Sequence, residues 1–363
     1  MAEPSGTIER LVRPAIRGMR AYHVADPGRL IKLDAMENPY PWPPSLVTEW
    51  LKAVGAAQPN RYPDASAGAL KKRLCRELGV PEQAGLILGN GSDELIQLLG
   101  MALGGEGRSV LSPGPSFAMY RIIAGFTGMA YHEVPLRGVD FSLDGDAFLA
   151  AIAEHQPTLI YLAYPNNPTG NRFDAALIDQ ILDVAPGVVV LDEAYHAFCG
   201  ASYMDQLIRR PNLMVMRTVS KMGLAGLRLG YMATHPDWAV ELEKCRLPYN
   251  VNVLTQISAS FALDHVAVFN EQTACIRRDR EVLHKALVGV KGLQVWPSEA
   301  NFITFRVSGG GAGVIHRGLM EQGVLIKNLD GSHPLLKDCL RVTVGTPQEN
   351  ERFLEALEGV LAG

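Results

Sequence analysis

The sequence predicts an α/β fold: a large domain with a seven-stranded, mostly parallel sheet covered by helices on both faces, plus a smaller α+β domain. Three observations predict it. Seven short runs rich in Val, Ile and Leu recur between residues 86 and 233. Amphipathic runs of helical period lie between most of them, and apolar strands alternating with helices mark a parallel sheet buried on both faces. The texture then changes near Pro248, where two long helical patterns precede a mixture of short strands and helices.

Taken in order, residues 1–30 are interrupted by Arg and Pro and only weakly periodic, so they read as an N-terminal arm with one short helix. The Asn38-Pro-Tyr-Pro-Trp-Pro-Pro44 stretch forbids helix and is extended. The strands of the large domain, 31–250, are expected at 86–89, 109–112, 130–136, 158–164, 188–191, 213–219 and 227–233. Helices are expected at 146–155 and 175–184 among others. The smaller domain, 251–363, is expected to hold helices at 254–263 and 266–288, then strand 301–307, helix 313–322, strands 324–327 and 340–344, and a last amphipathic helix over 348–361.

Composition narrows the function. Of 363 residues, 47% are apolar and 20% charged, as in a globular chain with a full core. The formal charge of −4 gives no basic excess to favour nucleic acid or an anionic membrane. No apolar run approaches the ~18 residues that span a bilayer. No apolar segment follows the N-terminal arginines as in a secretory signal. The five cysteines are scattered, with neither a disulfide framework nor metal-ligand spacing, so reduced thiols in the cytoplasm and no metal are expected. The glycine signatures of dinucleotide and P-loop sites, the zinc-protease motif and the hydrolase elbow are all absent.

Four groups lie at carboxyl ends of the expected strands, the edge where open α/β sheets bind ligands. Tyr164-Pro-Asn-Asn-Pro-Thr-Gly170 follows one; by itself it is ordinary turn chemistry, though its Asn amides can donate. Asp192 ends the apolar strand 188–191, where a carboxylate is badly solvated unless it meets a cation or donor; an N-cap or one half of a metal pair with Glu193 is the alternative. Lys221 follows the strand 213–219 between hydroxyls and a glycine-punctuated apolar loop. A lysine there usually reaches solvent, but dry surroundings would lower its pKa and expose a neutral nucleophile. Gly89-Asn-Gly-Ser-Asp-Glu94 opens a helix and reads both as a cap and as a phosphate-sized anion site. An amine, a carboxylate, amide and phenol donors and an anion cradle on one sheet edge are together what pyridoxal phosphate requires.

The motifs, in this order and spacing, resemble the fold-type-I pyridoxal-phosphate aminotransferases, and more narrowly the histidinol-phosphate aminotransferase family. The likeness runs through Glu37-Asn-Pro-Tyr40, Arg61-Tyr-Pro-Asp64, Gly91-Ser-Asp-Glu94, Pro115-Ser-Phe-Ala-Met-Tyr120, Asn166-Asn-Pro-Thr-Gly170 and Asp192-Glu-Ala-Tyr195. It continues through Ser220-Lys221, Ala225-Gly-Leu-Arg228, Pro248-Tyr-Asn-Val-Asn-Val253, Ala300-Asn-Phe-Ile303 and Leu340-Arg-Val-Thr-Val-Gly345. The resemblance implies that Lys221 bonds the cofactor aldehyde and that Asp192 faces its ring nitrogen. Asn167 and Tyr195 would hold the ring oxygen. Ser220, Arg228 and the Gly91-Ser92-Asp93 backbone would hold the phosphate, and Phe117 would stack on the ring. Tyr62 would reach the cofactor of a neighbouring subunit, which implies a homodimer with shared sites. Arg341 would clamp the substrate anion, with Lys327, Tyr22 and Asn38 as further substrate contacts. Lys327 stands where some relatives have Arg, and a lysine is a point charge rather than a fork.

The implied reaction is amino transfer between L-histidinol phosphate or imidazole-acetol phosphate and 2-oxoglutarate or L-glutamate, in histidine biosynthesis. An aromatic-amino-acid aminotransferase or a threonine-phosphate decarboxylase would keep the same cofactor residues. A cofactor-binding domain in a transcription regulator would need an N-terminal DNA-binding module, for which residues 1–35 are too few.

Overall fold

The computed structural model describes residues 4–21 and 25–362, so Tyr22 lies outside the described residues. In chain order the strands are β1 (Ile31–Leu33), β2 (Gly85–Asn90), β3 (Ser109–Gly114), β4 (Ala130–Pro135), β5 (Leu159–Ala163) and β6 (Val188–Asp192), then β7 (Leu213–Thr218), β8 (Leu229–Thr234), β9 (Leu293–Val295), β10 (Phe302–Val307), β11 (Val324–Asn328) and β12 (Cys339–Thr343). They form a seven-stranded sheet of order β2-β8-β7-β6-β5-β3-β4 and a five-stranded sheet of order β1-β11-β12-β10-β9.

In the larger sheet β4, β3, β5, β6 and β7 run parallel, and β8 alone runs against its neighbours. Every residue of β5, β6 and β7 is buried, as continuous apolar runs require when helices cover both faces. Each fully buried Val or Leu contributes about 1.5–3 kcal/mol relative to exposure. The register places Ala163 opposite Asp192 and Asp192 opposite Met216. The turns after β5, β6 and β7 therefore leave the sheet at one edge. The same edge receives the end of β2 and the start of β8, because β8 is reversed. That topology brings the four candidate groups together.

The smaller sheet differs from expectation in two places. Ile31–Leu33 pairs in parallel with Val324–Ile326, so a segment expected with the larger domain joins the smaller sheet; three residues carry no periodicity that could announce it. Strand Leu293–Val295 was equally silent in the sequence, and it pairs with β10. The helices after Pro248 also divide differently. Helix Val253–Asp264 packs Ala259, Ala262 and Leu263 into the core that holds Leu70, Leu74 and Leu88 of the larger body. Helix Val266–Gly289 serves both bodies: Phe269 lies in that core, whereas Ile276, Leu283 and Leu287 lie in the core of the smaller sheet. Helical period shows that a face is apolar, not which sheet it will cover. The arm forms helices Pro4–Leu11 and Pro14–Arg17 where one had been expected, and Arg13 donates to the Phe126 carbonyl.

Candidate active site

At the sheet edge lies a cleft of about 580 Å³ whose wall includes Ser92, Asp93, Phe117, Asn167, Asp192, Tyr195, Ser220, Lys221 and Arg228. Nine residues singled out from the sequence thus share one wall. Met36, Ala163, Pro165, Ala194 and Thr218 complete it.

Asp192 ends β6 at 4% exposure. Its Oδ1 accepts from the Ala194 amide at 3.1 Å, and its Oδ2 accepts from the Tyr120 hydroxyl at 2.7 Å. Burial pushes the carboxyl up to about 6 against these two donors, and the nearby Asp93 and Glu193 charges push the same way. The neighbouring Glu193 is not free to act with it as a metal pair. It is wholly buried, bonded to Arg217 at 2.8 Å, to the Ser202 hydroxyl and to the Tyr203 amide. Asp192 is thus a buried carboxylate held by two neutral donors, which suits a protonated ring nitrogen in the cleft.

Lys221 sits in the short turn Ser220–Met222 that follows β7. Its Nζ donates to the Ala35 carbonyl at 3.2 Å and lies 6.0 Å from the Tyr195 ring centre. Burial first, and then the Arg341 cation, lower its pKa to about 8, while Glu37 opposes them. Ser220 and Thr218 are buried and bonded to each other at 2.9 Å. Asn167 donates from Nδ2 to the Tyr195 hydroxyl at 3.1 Å, and its Oδ1 accepts from Arg341.

The Gly91 turn, where an anion site was expected, is built from close backbone approach. Gly91 has φ +82°, and a Cβ there would lie 2.6 Å from Arg228 Nη2. A Cβ on Gly230 would lie 2.6 Å from the Gly91 carbonyl carbon and the Ser92 nitrogen. Only glycines let β8, the Gly91 turn and Arg228 meet. The helix Ser92–Leu103 starts there and presents its free N–H groups. Arg228 itself is left-handed at φ +48° and lies 3.9 Å from Asp93.

Arg341 is buried at 6% exposure. Its Nη2 donates to the Asp34 carbonyl at 3.1 Å. Leu340, Val342 and Val344 point the other way, into the smaller core. Lys327 pairs directly with Arg341 in register and shares its face of the sheet. Among the described candidates, Gly91, Arg341, Lys327, Asn38 and Tyr62 do not belong to the cleft wall. Asn38 donates both amide hydrogens to protein, to the Met222 carbonyl and Gln272 Oε1, each at 3.0 Å. The resemblance implied a substrate contact; in this structure its amide bridges Met222 and Gln272. Tyr62 is 81% exposed and stacks on Tyr249 at 4.5 Å, away from the cleft of its own chain. Tyr22 lies outside the described residues.

The sequence reading gave no role to Tyr120 or Met36. Tyr120 had a signal: a phenol on the buried face of an apolar helical run needs a partner for its hydroxyl. Met36 had none, since nothing in a methionine announces its φ of +54°.

Residues 29–357 match the family model for aminotransferase class I and II, and the chain belongs to that family. It is 52% identical over 351 residues to histidinol-phosphate aminotransferase 2 of Nitrosococcus oceani, covering 97% of each chain. It is 50% identical over 352 residues to the histidinol-phosphate aminotransferase of Chromobacterium violaceum, covering 97% of this chain and 98% of that one. The crystal structure of histidinol-phosphate aminotransferase from Sinorhizobium meliloti, in complex with pyridoxal-5'-phosphate, superposes with a TM-score of 0.85 at 26% identity, covering 96% and 97% of the two chains. Within its class the chain is a member of the histidinol-phosphate aminotransferase family.

Proposed function

We propose that the protein is a pyridoxal-phosphate-dependent transaminase that moves an amino group between L-histidinol phosphate or imidazole-acetol phosphate and 2-oxoglutarate or L-glutamate, in histidine biosynthesis. The observation that carries the reading is convergence. Lys221, Asp192, the Asn167–Tyr195 pair and the Arg228 and Ser92 anion end face one cleft, in a chain about half identical to histidinol-phosphate aminotransferases.

Bound pyridoxal phosphate supplies an aldehyde to take up the amino group and a ring to draw electrons from the substrate carbon. The chain's residues do the rest. The Lys221 amine, depressed to about 8, has a neutral fraction near neutral pH and can take and return a proton at Nζ. Asp192 Oδ1 and Oδ2 favour a proton on the ring nitrogen. Asn167 and Tyr195 would hold the ring oxygen and Phe117 would stack on the ring. Ser220, Arg228 and the Gly91-Ser92-Asp93 backbone hold the phosphate. Arg341 and Lys327 hold the substrate anion, and an arginine fork can pair with either a carboxylate or a phosphate.

The exposed Tyr62 supports a homodimer in which each subunit completes the partner's site. We place the protein in the cytoplasm, where its five free cysteines would stay reduced. The division into a large and a small domain near residue 250 is best drawn with helix Val266–Gly289 as the connector and Ile31–Leu33 in the smaller unit.

The test is a half-reaction assay comparing histidinol phosphate with phenylalanine. Wild type is expected to prefer histidinol phosphate, and Lys327→Ala to lower that preference about tenfold, the worth of one charge-assisted hydrogen bond. Preference for phenylalanine, unchanged in Lys327→Ala, would transfer the assignment to an aromatic-amino-acid aminotransferase.

A further inference from the structure

We propose that Tyr120 is a positioning residue for Asp192, whose carboxylate it holds ionised and aimed at the cleft through a hydrogen bond from its buried hydroxyl. The inference rests on the reading that Asp192 faces the ring nitrogen of the cofactor.

The geometry is specific. Tyr120 is wholly buried on helix Met119–Thr127. Its ring lies parallel to Tyr161 beneath it, 4.5 Å between centres and 6° between planes. It meets Phe117 in a T-shaped contact at 5.6 Å and 83°. Clamped between these rings, the phenol has little freedom except rotation of the hydroxyl, which ends 2.7 Å from Asp192 Oδ2. The same ring therefore touches both a wall residue expected to stack on the cofactor and the carboxylate expected to bind it.

The chemistry gives the contact a direction. An ionised carboxylate only accepts, whereas a neutral phenol donates. Asp192 is buried, and its other protein donor is the Ala194 amide on the opposite oxygen. With Tyr120 in place each oxygen accepts from one of these donors, and Asp192 borders the cleft. Without it, Oδ2 loses the one donor it has among the described residues, and a buried carboxyl in that condition favours its protonated form. A protonated Asp192 would no longer stabilise a cationic ring nitrogen. Packing alone does not need the hydroxyl, since phenylalanine would fill the same space between Tyr161 and Phe117.

The experiment reads cofactor affinity rather than turnover. Apoproteins of wild type, Tyr120→Phe and Asp192→Asn are titrated with pyridoxal phosphate and with its 1-deaza analogue, in which carbon replaces the ring nitrogen. Tyr120→Phe is expected to weaken pyridoxal phosphate by about tenfold, on the scale of a hydrogen bond to a charged group, and to change analogue affinity by less than about twofold. Asp192→Asn is expected to show the same selectivity, larger. Equal weakening of both ligands by Tyr120→Phe would mean that the residue only shapes the pocket, which overturns the proposal. No weakening by Tyr120→Phe beside a selective loss in Asp192→Asn would overturn it while leaving the reading of Asp192 intact. No selectivity in Asp192→Asn would overturn that reading and the proposal with it. Thermal melting of the apoproteins checks folding. Should Tyr120→Phe not fold, Tyr120→Met, which also lacks the donor, undergoes the same comparison with the same deciding outcomes.

Discussion

Lys221 and Asp192 are both held in surroundings that disfavour their charges, and this has a measurable cost in the protein without cofactor. Lys221 has its pKa lowered from 10.5 to about 8, so between these values the unfolded chain binds more protons and stability rises with pH. Below about 8 the buried cation is a full penalty. Lys221→Met apoprotein should therefore melt several degrees higher than wild type at pH 7, with the difference shrinking toward pH 10.5. Calorimetry across that range checks it, and an unchanged difference would show that Lys221 is well solvated. Asp192 runs the other way. Its pKa is raised from 3.8 to about 6, so its charged form is the strained one above pH 6. A cation in the cleft relieves that strain only while the carboxylate is ionised. Affinity for pyridoxal phosphate should therefore fall as the pH drops below about 6, and Asp192→Asn should flatten the profile. A wild-type profile already flat between pH 5 and 7 would assign the ring nitrogen to another partner.

At the scale of elements, the anion end depends on β8 lying flush against the turn that opens helix Ser92–Leu103. The contact is backbone on backbone, so a methyl group at Gly230 has no flexible side chain to displace; its Cβ would meet Gly91 and Ser92 atoms at 2.6 Å. Gly230→Ala should destabilise the protein by about 1–3 kcal/mol, the range for overpacking, and weaken phosphate binding as the Ser92 N–H is pushed aside. Chemical denaturation and cofactor titration measure the two effects. Gly91→Ala meets the end of the Arg228 side chain instead, but its φ of +82° is strained for alanine, so it too should lose affinity.

For the whole molecule the decisive residue is one that looks idle. Tyr62 is 81% exposed and stacked on Tyr249, so replacing it should cost little folding stability. If each site borrows this phenol from its partner, a Tyr62→Ala chain and a Lys221→Ala chain are each defective, but a mixed dimer holds one complete site. Co-refolding the two variants should restore activity to roughly a quarter of wild type, since about half the dimers are mixed and each carries one good site. Activity equal to the mean of the two parents after mixing would show that each chain completes its own site.

How much was legible in the sequence follows from the physics of each feature. Fully buried parallel strands must be continuously apolar, so β5, β6 and β7 could be located within about two residues, and the part-exposed edge strand Ala130–Pro135 and the reversed Leu229–Thr234 were found as closely from their flanking turns. A polar residue at the end of such a strand stands out against it, and for that reason Asp192 and Lys221 were visible. Turn chemistry likewise exposed Asn167, and the glycines at 89 and 91 exposed the anion end. Family resemblance, not pattern, supplied the roles of Phe117, Arg228 and Arg341. Three-residue strands such as Ile31–Leu33 and Leu293–Val295 have no period to detect, and an apolar helix face does not name the sheet it will cover. The partners of Asn38 lie 184 and 234 residues away, and those of Tyr120 and Arg341 are 72 and 174 residues distant. Sequence alone determined which residue types end the strands, because burial constrains composition locally. Which of those residues touch the cleft, and which brace it, was decided by tertiary structure, because a side chain's partner is set by how distant strands and helices meet.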